Sequence, residues 1–178
     1  MKKITYSILV GAVAASSALA GDHTVSHKES KKLIPTEPCF KDQEFQLDVF
    51  GSYTNGARAY PYDDGFGGGI GANYFFMRYL GVGVDGNVYD GGVHGVWSGS
   101  ASLIARYPVD LGHFCFAPYI FGGGGVRSDS HTLGTEHAGA GIEFRITPKI
   151  GIFGDGRYTW AENRQDAVTT RIGIRFVF

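Results

Sequence analysis

The sequence has little cysteine, little proline and little charge. Its 178 residues include only 2 cysteines and 6 prolines. Two cysteines are too few for a disulfide-dense scaffold, and the low proline content excludes a collagen repeat despite 28 glycines. The formal net charge of −1 carries no basic excess, so we expect no nucleic-acid partner. With 43% hydrophobic residues the chain can still bury a core, which argues against intrinsic disorder.

Long hydrophobic runs are also absent, except near the N-terminus. Ile4–Ala15 is largely apolar, follows a pair of lysines, and precedes Ala18-Leu19-Ala20, which has the pattern of a signal-peptide cleavage site. The alternative is a transmembrane helix, but the run is short of the roughly 20 residues that such a helix needs. We therefore predict a signal peptide over residues 1–20 and export into an oxidising compartment.

Residues 21–43 are polar and contain few apolar side chains. Pro35 and Pro38 interrupt any helix in this stretch. We predict a solvated periplasmic arm that precedes the folded domain; a tether to another envelope component is the alternative.

From Glu44 onward, apolar and polar residues alternate with a period of two, which indicates β-strands with one apolar face. In the first such segment Phe45, Leu47 and Val49 share one face. The pattern recurs in segments 67–76, 80–89, 96–107, 114–126, 136–146, 149–160 and 168–178, although the faces of 114–126 are ambiguous. We predict an all-β domain over residues 44–178 with eight antiparallel strands. Their length of about ten residues suits a bilayer-spanning barrel.

The placement of aromatic residues distinguishes a membrane barrel from a soluble, lipocalin-like barrel, which has a polar outside. If the first strand runs outward from the periplasm, the apolar face carries aromatic residues at both ends. The outer rim has Tyr53, Trp97 and Trp160, and the inner rim has Phe76, Tyr107 and Phe178. Two such girdles are typical of the two bilayer interfaces. We therefore predict an eight-stranded, up-and-down transmembrane β-barrel.

The polar face of the predicted strands then lines the lumen. It carries five acids and five arginines: Glu44, Asp48, Asp85, Glu143, Asp155, Arg106, Arg145, Arg157, Arg171 and Arg175. Because buried charges must be paired, we expect a salt-bridged interior. A charge-lined pore is the alternative, but eight strands leave no open channel.

The two cysteines, Cys39 and Cys115, are both expected near the inner rim. A disulfide between them would make the arm cross the barrel floor, because the first and fifth strands lie on opposite sides. The sequence does not decide whether the two cysteines form a disulfide or remain free thiols. A metal site is less favoured, since the two cysteines lack neighbouring histidines.

Three stretches resemble the small eight-stranded outer membrane protein family, whose barrel is like the transmembrane domain of OmpA. They are Gly65–Gly83, Ala117–Gly125 and Arg171–Phe178. The resemblance implies an outer-membrane location, lipid contact, and a terminal strand ending in Phe176 and Phe178 that the barrel-assembly machinery recognises. We expect no peptidoglycan-binding domain of the kind that follows the barrel in full-length OmpA proteins, so the resemblance does not imply cell-wall anchoring.

Catalytic patterns are weak. Lipid A deacylases use a His-x-Ser pair, but His94 is followed by Val96 in place of serine, and Ser130-His131 has the opposite order. We predict no catalytic residue, cofactor or metal. The expected role is structural or adhesion-like, without an open pore, and any surface partner would contact the external loops. A lipid-modifying barrel enzyme and a soluble ligand-binding barrel are the alternative functions.

Overall fold

The computed structural model describes residues 38–58, 64–90, 95–111, 114–128, 132–161 and 166–178. The predicted signal peptide, most of the predicted arm, and His94, Ser130 and His131 lie outside these ranges. None of the described segments forms a helix long and apolar enough to cross a membrane.

The described residues fold into one antiparallel sheet that closes on itself. Its strands are β1 (Glu44–Arg58), β2 (Gly65–Met77), β3 (Leu80–Asp90), β4 (Gly95–Arg106), β5 (Val109–Asp110), β6 (Cys115–Ser128), β7 (Thr132–Thr147), β8 (Ile150–Ala161) and β9 (Asp166–Val177). Each long strand pairs with the next, β4 pairs with β6, and β1 pairs with β9 to close the barrel. The predicted eight-stranded up-and-down barrel is thereby confirmed.

The short strand β5 and the outer strand ends were not predicted. β5 lies between the predicted strand segments 96–107 and 114–126, and it pairs with Cys115 and Phe116 of β6. β1 extends past Tyr53 to Arg58, and β7 begins at Thr132, four residues before its predicted start. These strand ends carry mostly glycine or polar residues on both faces, so the regular alternation that signals a half-buried strand is missing there.

The outside of the barrel is apolar and its interior is polar. Large aliphatic side chains point outward at alternating positions of every long strand. Examples, one from each long strand, are Val49, Ile70, Val84, Leu103, Ile120, Ile146, Ile152 and Ile172. A water-soluble barrel has the opposite distribution, so the structure confirms the transmembrane barrel fold.

β6 has apolar residues on both faces, which explains why its facing could not be predicted. Cys115, Ala117, Tyr119 and Phe121 are buried in the lumen, whereas Ile120 is 64% exposed on the outside. The lumen also holds rings from other strands that the sequence analysis did not place there: Phe50, Phe75 and Phe153. The interior is therefore both charged and aromatic.

Glycines on neighbouring strands make room for these rings. A Cβ added at Gly139 would lie 2.4 Å from Cζ of Phe121, and one added at Gly69 would lie 2.6 Å from Cζ of Phe50. At these two positions glycine therefore leaves room in a narrow lumen for a ring from the neighbouring strand.

We predict that Gly139→Ala destabilises the barrel and that Gly156→Ala does not. The added methyl at position 139 would overlap both the Gly156 carbonyl oxygen and the Phe121 ring, which should lower the free energy of unfolding by about 1–3 kcal/mol. Gly156 lies on the adjacent strand, and a Cβ there would meet nothing within 4 Å. Urea unfolding in detergent micelles measures both variants. Equal stability of the two variants would contradict this explanation of the glycine content.

Candidate functional site

The lower half of the lumen contains a continuous chain of alternating charges, which we call the lower network. Its members are Arg106, Glu44, Arg145, Glu143, Arg175 and Asp48, in order of contact. Glu44 Oε1 accepts from Arg106 Nη1 at 2.7 Å and from Arg145 Nη2 at 2.6 Å. All six side chains are at least nine-tenths buried, and the three carboxylates balance the three guanidinium groups.

A second chain of charges, the upper network, lies nearer the outer rim. Arg157 contacts Asp85, Asp85 contacts Arg171 at 3.0 Å, and Arg171 contacts Asp155 at 2.7 Å. The Tyr119 hydroxyl donates to Asp155 Oδ2 at 2.7 Å. Two carboxylates balance two guanidinium groups, so each network is neutral by itself. The structure thus brings all ten predicted lumenal residues into two clusters.

The arginines of both networks also lie against the lumenal rings. The guanidinium carbon of Arg106 is 3.7 Å from the ring centroid of Phe75, and that of Arg175 is 4.7 Å from the centroid of Phe153. Such cation–π contacts are strongest where water is excluded. The aromatic rings therefore stabilise the same guanidinium groups that the carboxylates neutralise.

The floor of the barrel is closed by residues that precede β1. Cys39 is joined to Cys115 by a disulfide with a Cα–Cα distance of 6.3 Å. Phe40 is 1% exposed and lies within 5.0 Å of the guanidinium carbons of Arg106 and Arg145. The solvated-arm prediction is therefore wrong for Phe40, because its ring continues the aromatic packing of the lumen.

The disulfide-bonded cysteines at the floor cannot act as metal ligands. The ligand atoms of Cys39, Asp110 and Cys115 lie within 4.8 Å of one another. Both sulfur atoms are used by the disulfide, however, and zinc is bound by cysteine as the free thiolate.

The predicted girdle residues all point away from the lumen. Tyr53, Trp97 and Trp160 lie toward the outer rim, and Phe76, Tyr107 and Phe178 toward the inner rim; each is at least 38% exposed. Phe178 packs on Phe45 with ring centroids 6.2 Å apart and donates its N–H to the Phe45 carbonyl. Phe176 also faces outward. The outward rings Phe66, Tyr74 and Phe114 were not predicted as girdle members.

A Ser–His contact lies inside the lumen. Ser102 Oγ is 2.8 Å from His137 Nε2, and His137 is buried. The sequence analysis sought such a pair along the chain, whereas this one joins β4 and β7 across β6. Both side chains face the lumen, so a lipid on the outer surface of the barrel does not reach them.

The fold is shared with solved outer-membrane barrels. The N-terminal barrel domain of Pseudomonas aeruginosa OprF superposes with a TM-score of 0.62 at 14% identity, covering 77% of this chain and 98% of that domain. The attachment invasion locus protein Ail of Yersinia pestis gives 0.57 at 16% identity, covering 77% of this chain and 99% of Ail. Neisserial surface protein A gives 0.52 at 17% identity, covering 75% of this chain and 95% of that protein.

These similarities define the class of fold, the small eight-stranded outer-membrane β-barrel, and confirm the resemblance seen in the sequence at the level of the fold. No protein-family model and no curated sequence matches the chain. One solved structure of Ail is a complex with the heparin analogue sucrose octasulfate.

We predict that Glu143→Gln strongly destabilises the barrel. Glu143 contacts both Arg145 and Arg175, so neutralising it leaves the lower network with one uncompensated positive charge. Breaking a buried pair in this way typically costs about 3–5 kcal/mol. Lys149→Ala, which removes an exposed charge from a turn, is the control and should change stability by less than about 0.5 kcal/mol. Urea midpoints in micelles test the pair, and similar midpoints for the two variants would show that the network contributes little.

We also predict that the disulfide contributes to stability. Its closure constrains a loop with a sequence separation of 76 residues, which corresponds to about 4.5 kcal/mol in the chain-entropy model. The double variant Cys39→Ala/Cys115→Ala should therefore unfold at lower urea concentration than the oxidised protein. Dithiothreitol should lower the midpoint of the unsubstituted protein and leave the double variant unchanged. An unchanged midpoint in fully reduced protein would contradict the prediction.

Proposed function

We propose that this protein is an exported outer-membrane barrel with a non-enzymatic, surface-interaction role and no open pore. The observation that carries the proposal is the inverted distribution of polarity: apolar side chains and two aromatic rims face outward, and the charges are compensated inside. This distribution suits lipid on the outside. In this proposal residues 1–20 direct export, and Phe176 and Phe178 form part of the signal that the barrel-assembly machinery recognises.

The absence of a pore is supported by the contents of the lumen. The two charge networks and the rings between them fill the cross-section, and Phe40, which follows the disulfide-bonded Cys39, covers the floor. Two of the cavities between these groups measure about 40 and 20 Å³. Each water needs about 10–15 Å³ in this measure, so these spaces hold a few small molecules and form no continuous channel.

A non-enzymatic role is supported by where the candidate chemistry lies. Ser102 and His137 are inside the lumen, next to guanidinium groups and away from the lipid-facing surface. A lipid-modifying enzyme needs its nucleophile at the surface that its substrate contacts.

The outer rim is where a surface partner would bind, because loops on a rigid scaffold commonly carry binding function. The described residues of this rim do not suit the sulfated ligand seen with Ail. Asp64, Asp90 and Glu136 are exposed there, and acidic side chains repel a polyanion. We therefore propose surface interaction without transferring the heparin-like ligand.

Cysteine labelling on intact cells tests the proposed location and orientation. Thr132 is exposed at the outer end of β7, and Lys149 is exposed in the turn between β7 and β8. Thr132→Cys should react with a membrane-impermeant maleimide on intact cells, and Lys149→Cys should react only after the outer membrane is permeabilised. Equal labelling of both on intact cells, or of neither after permeabilisation, would contradict the proposed placement.

A further inference from the structure

Three side chains of metal-binding types meet at the floor of the barrel. Asp110 of β5 and Cys115 of β6 are direct partners in the antiparallel register, so their side chains lie on the same face of the sheet. Cys39 reaches them from residues 38–43, the floor segment. One ligand atom from each of the three residues lies within 4.8 Å of the other two. Zinc bonds to sulfur and oxygen measure about 2.0–2.3 Å, so a small shift of the side chains brings all three atoms onto one ion.

The floor segment is held by more than the disulfide. The ring of Phe40 is buried in the lumen, and the Lys41 carbonyl accepts from Arg106 Nη2 at 3.2 Å. Neither contact involves a sulfur atom, so both remain when the sulfur–sulfur bond is cleaved. Cys39 therefore stays beside Cys115 when the two residues are free thiols.

The position of the three side chains is accessible from the inner rim. Cys39 lines a cavity of about 470 Å³ that the floor segment shares with the turn between β7 and β8 and with the last residues of β9. Asp110 is exposed, whereas Cys115 is buried. An ion thus has a path of entry, and its exposed side leaves room for a water molecule as a fourth ligand.

We infer that reduction of the disulfide between Cys39 and Cys115 converts the floor into a zinc site. A dithiol reductant transfers two electrons and two protons, so the sulfur–sulfur bond becomes two thiols while the dithiol becomes a disulfide. Zinc then displaces both thiol protons and binds the two thiolates, the Asp110 carboxylate and one water molecule. The ion links the floor segment to β6 in place of the covalent bond.

The donor set also determines which ions the reduced floor accepts. Two thiolates favour zinc and cobalt, whereas magnesium and calcium are bound mainly by oxygen ligands in larger number. The alternative is a reduced floor with two free thiols that bind no metal. The site lies at the inner rim, so it does not depend on which partner the outer loops bind.

Cobalt absorption tests the site directly, because a thiolate-to-cobalt charge-transfer band appears only when sulfur binds the ion. A water-soluble phosphine is the reductant, since it supplies no competing thiolate; it is oxidised to the phosphine oxide with oxygen from water. The reduced full chain in micelles should develop the band with one equivalent of cobalt, and zinc, but not magnesium, should abolish it. The oxidised protein and the variant Cys39→Ala/Cys115→Ala should show no band. Absence of the band in the reduced protein overturns the inference.

The carboxylate ligand is tested by a matched pair of variants. Asp110→Asn should weaken the zinc affinity of the reduced protein by at least about tenfold, because substitutions even in the groups that orient metal ligands cost this much. Asp64→Asn makes the same change at an exposed position of the outer rim and should leave the affinity unchanged. Zinc should also raise the urea midpoint of the reduced protein and leave that of the oxidised protein unchanged. Equal zinc affinities of the two variants, or a reduced midpoint that zinc does not move, overturn the three-ligand site.

Discussion

Charge compensation inside the barrel is the interaction on which the rest of the structure depends. A barrel whose outer surface is apolar has only its lumen in which to place charged side chains, and that space is narrow. The lower network alternates three carboxylates with three guanidinium groups, and the upper network alternates two with two. Because each network is neutral, its members attract one another across strands that are far apart in sequence. Arg175 and Asp48, for example, join β9 to β1 beside the backbone pairing that closes the barrel.

Aromatic packing and glycine placement follow from this arrangement. A guanidinium group has flat faces as well as donor edges, and the carboxylates satisfy only the edges. The rings of Phe75 and Phe153 lie over those faces, and Phe40 extends the same packing to the floor. The rings and the arginines fill the lumen so closely that some neighbouring strand positions have no room for a Cβ atom. Glycine lies opposite rings such as Phe121 for this reason. The glycines that lie opposite lumenal rings and the charge networks therefore both follow from packing large side chains into a narrow lumen.

The sequence was informative wherever one face of a strand was uniformly apolar. The strands, their order and the outward aromatic residues could be predicted from the period of two. The ten lumenal charges could be predicted because they lie on the polar face of those strands. It was uninformative where both faces carried the same kind of residue. Tyr119 and Phe121 alternate with Ile120, so periodicity could not show that the rings point inward. The contact between Ser102 and His137 joins residues 35 positions apart and depends on strand register, which no local pattern reports. Phe40 lies in a polar stretch, and only the crossing of the barrel floor gives its ring a place to pack.

A double-mutant cycle on Asp48 and Arg175 tests the central claim most directly. The two side chains contact each other at 2.7 Å deep in the lumen, and the cycle compares Asp48→Leu, Arg175→Met and the double variant by urea unfolding in micelles. Each single variant leaves the lower network with one uncompensated buried charge and should be destabilised by about 3–5 kcal/mol. The double variant should be clearly more stable than the sum of the single effects predicts, because it removes both charges and leaves two carboxylates balanced by two guanidinium groups in the lower network. Additive effects, with a coupling energy near zero, would show that charge compensation does not hold this barrel together.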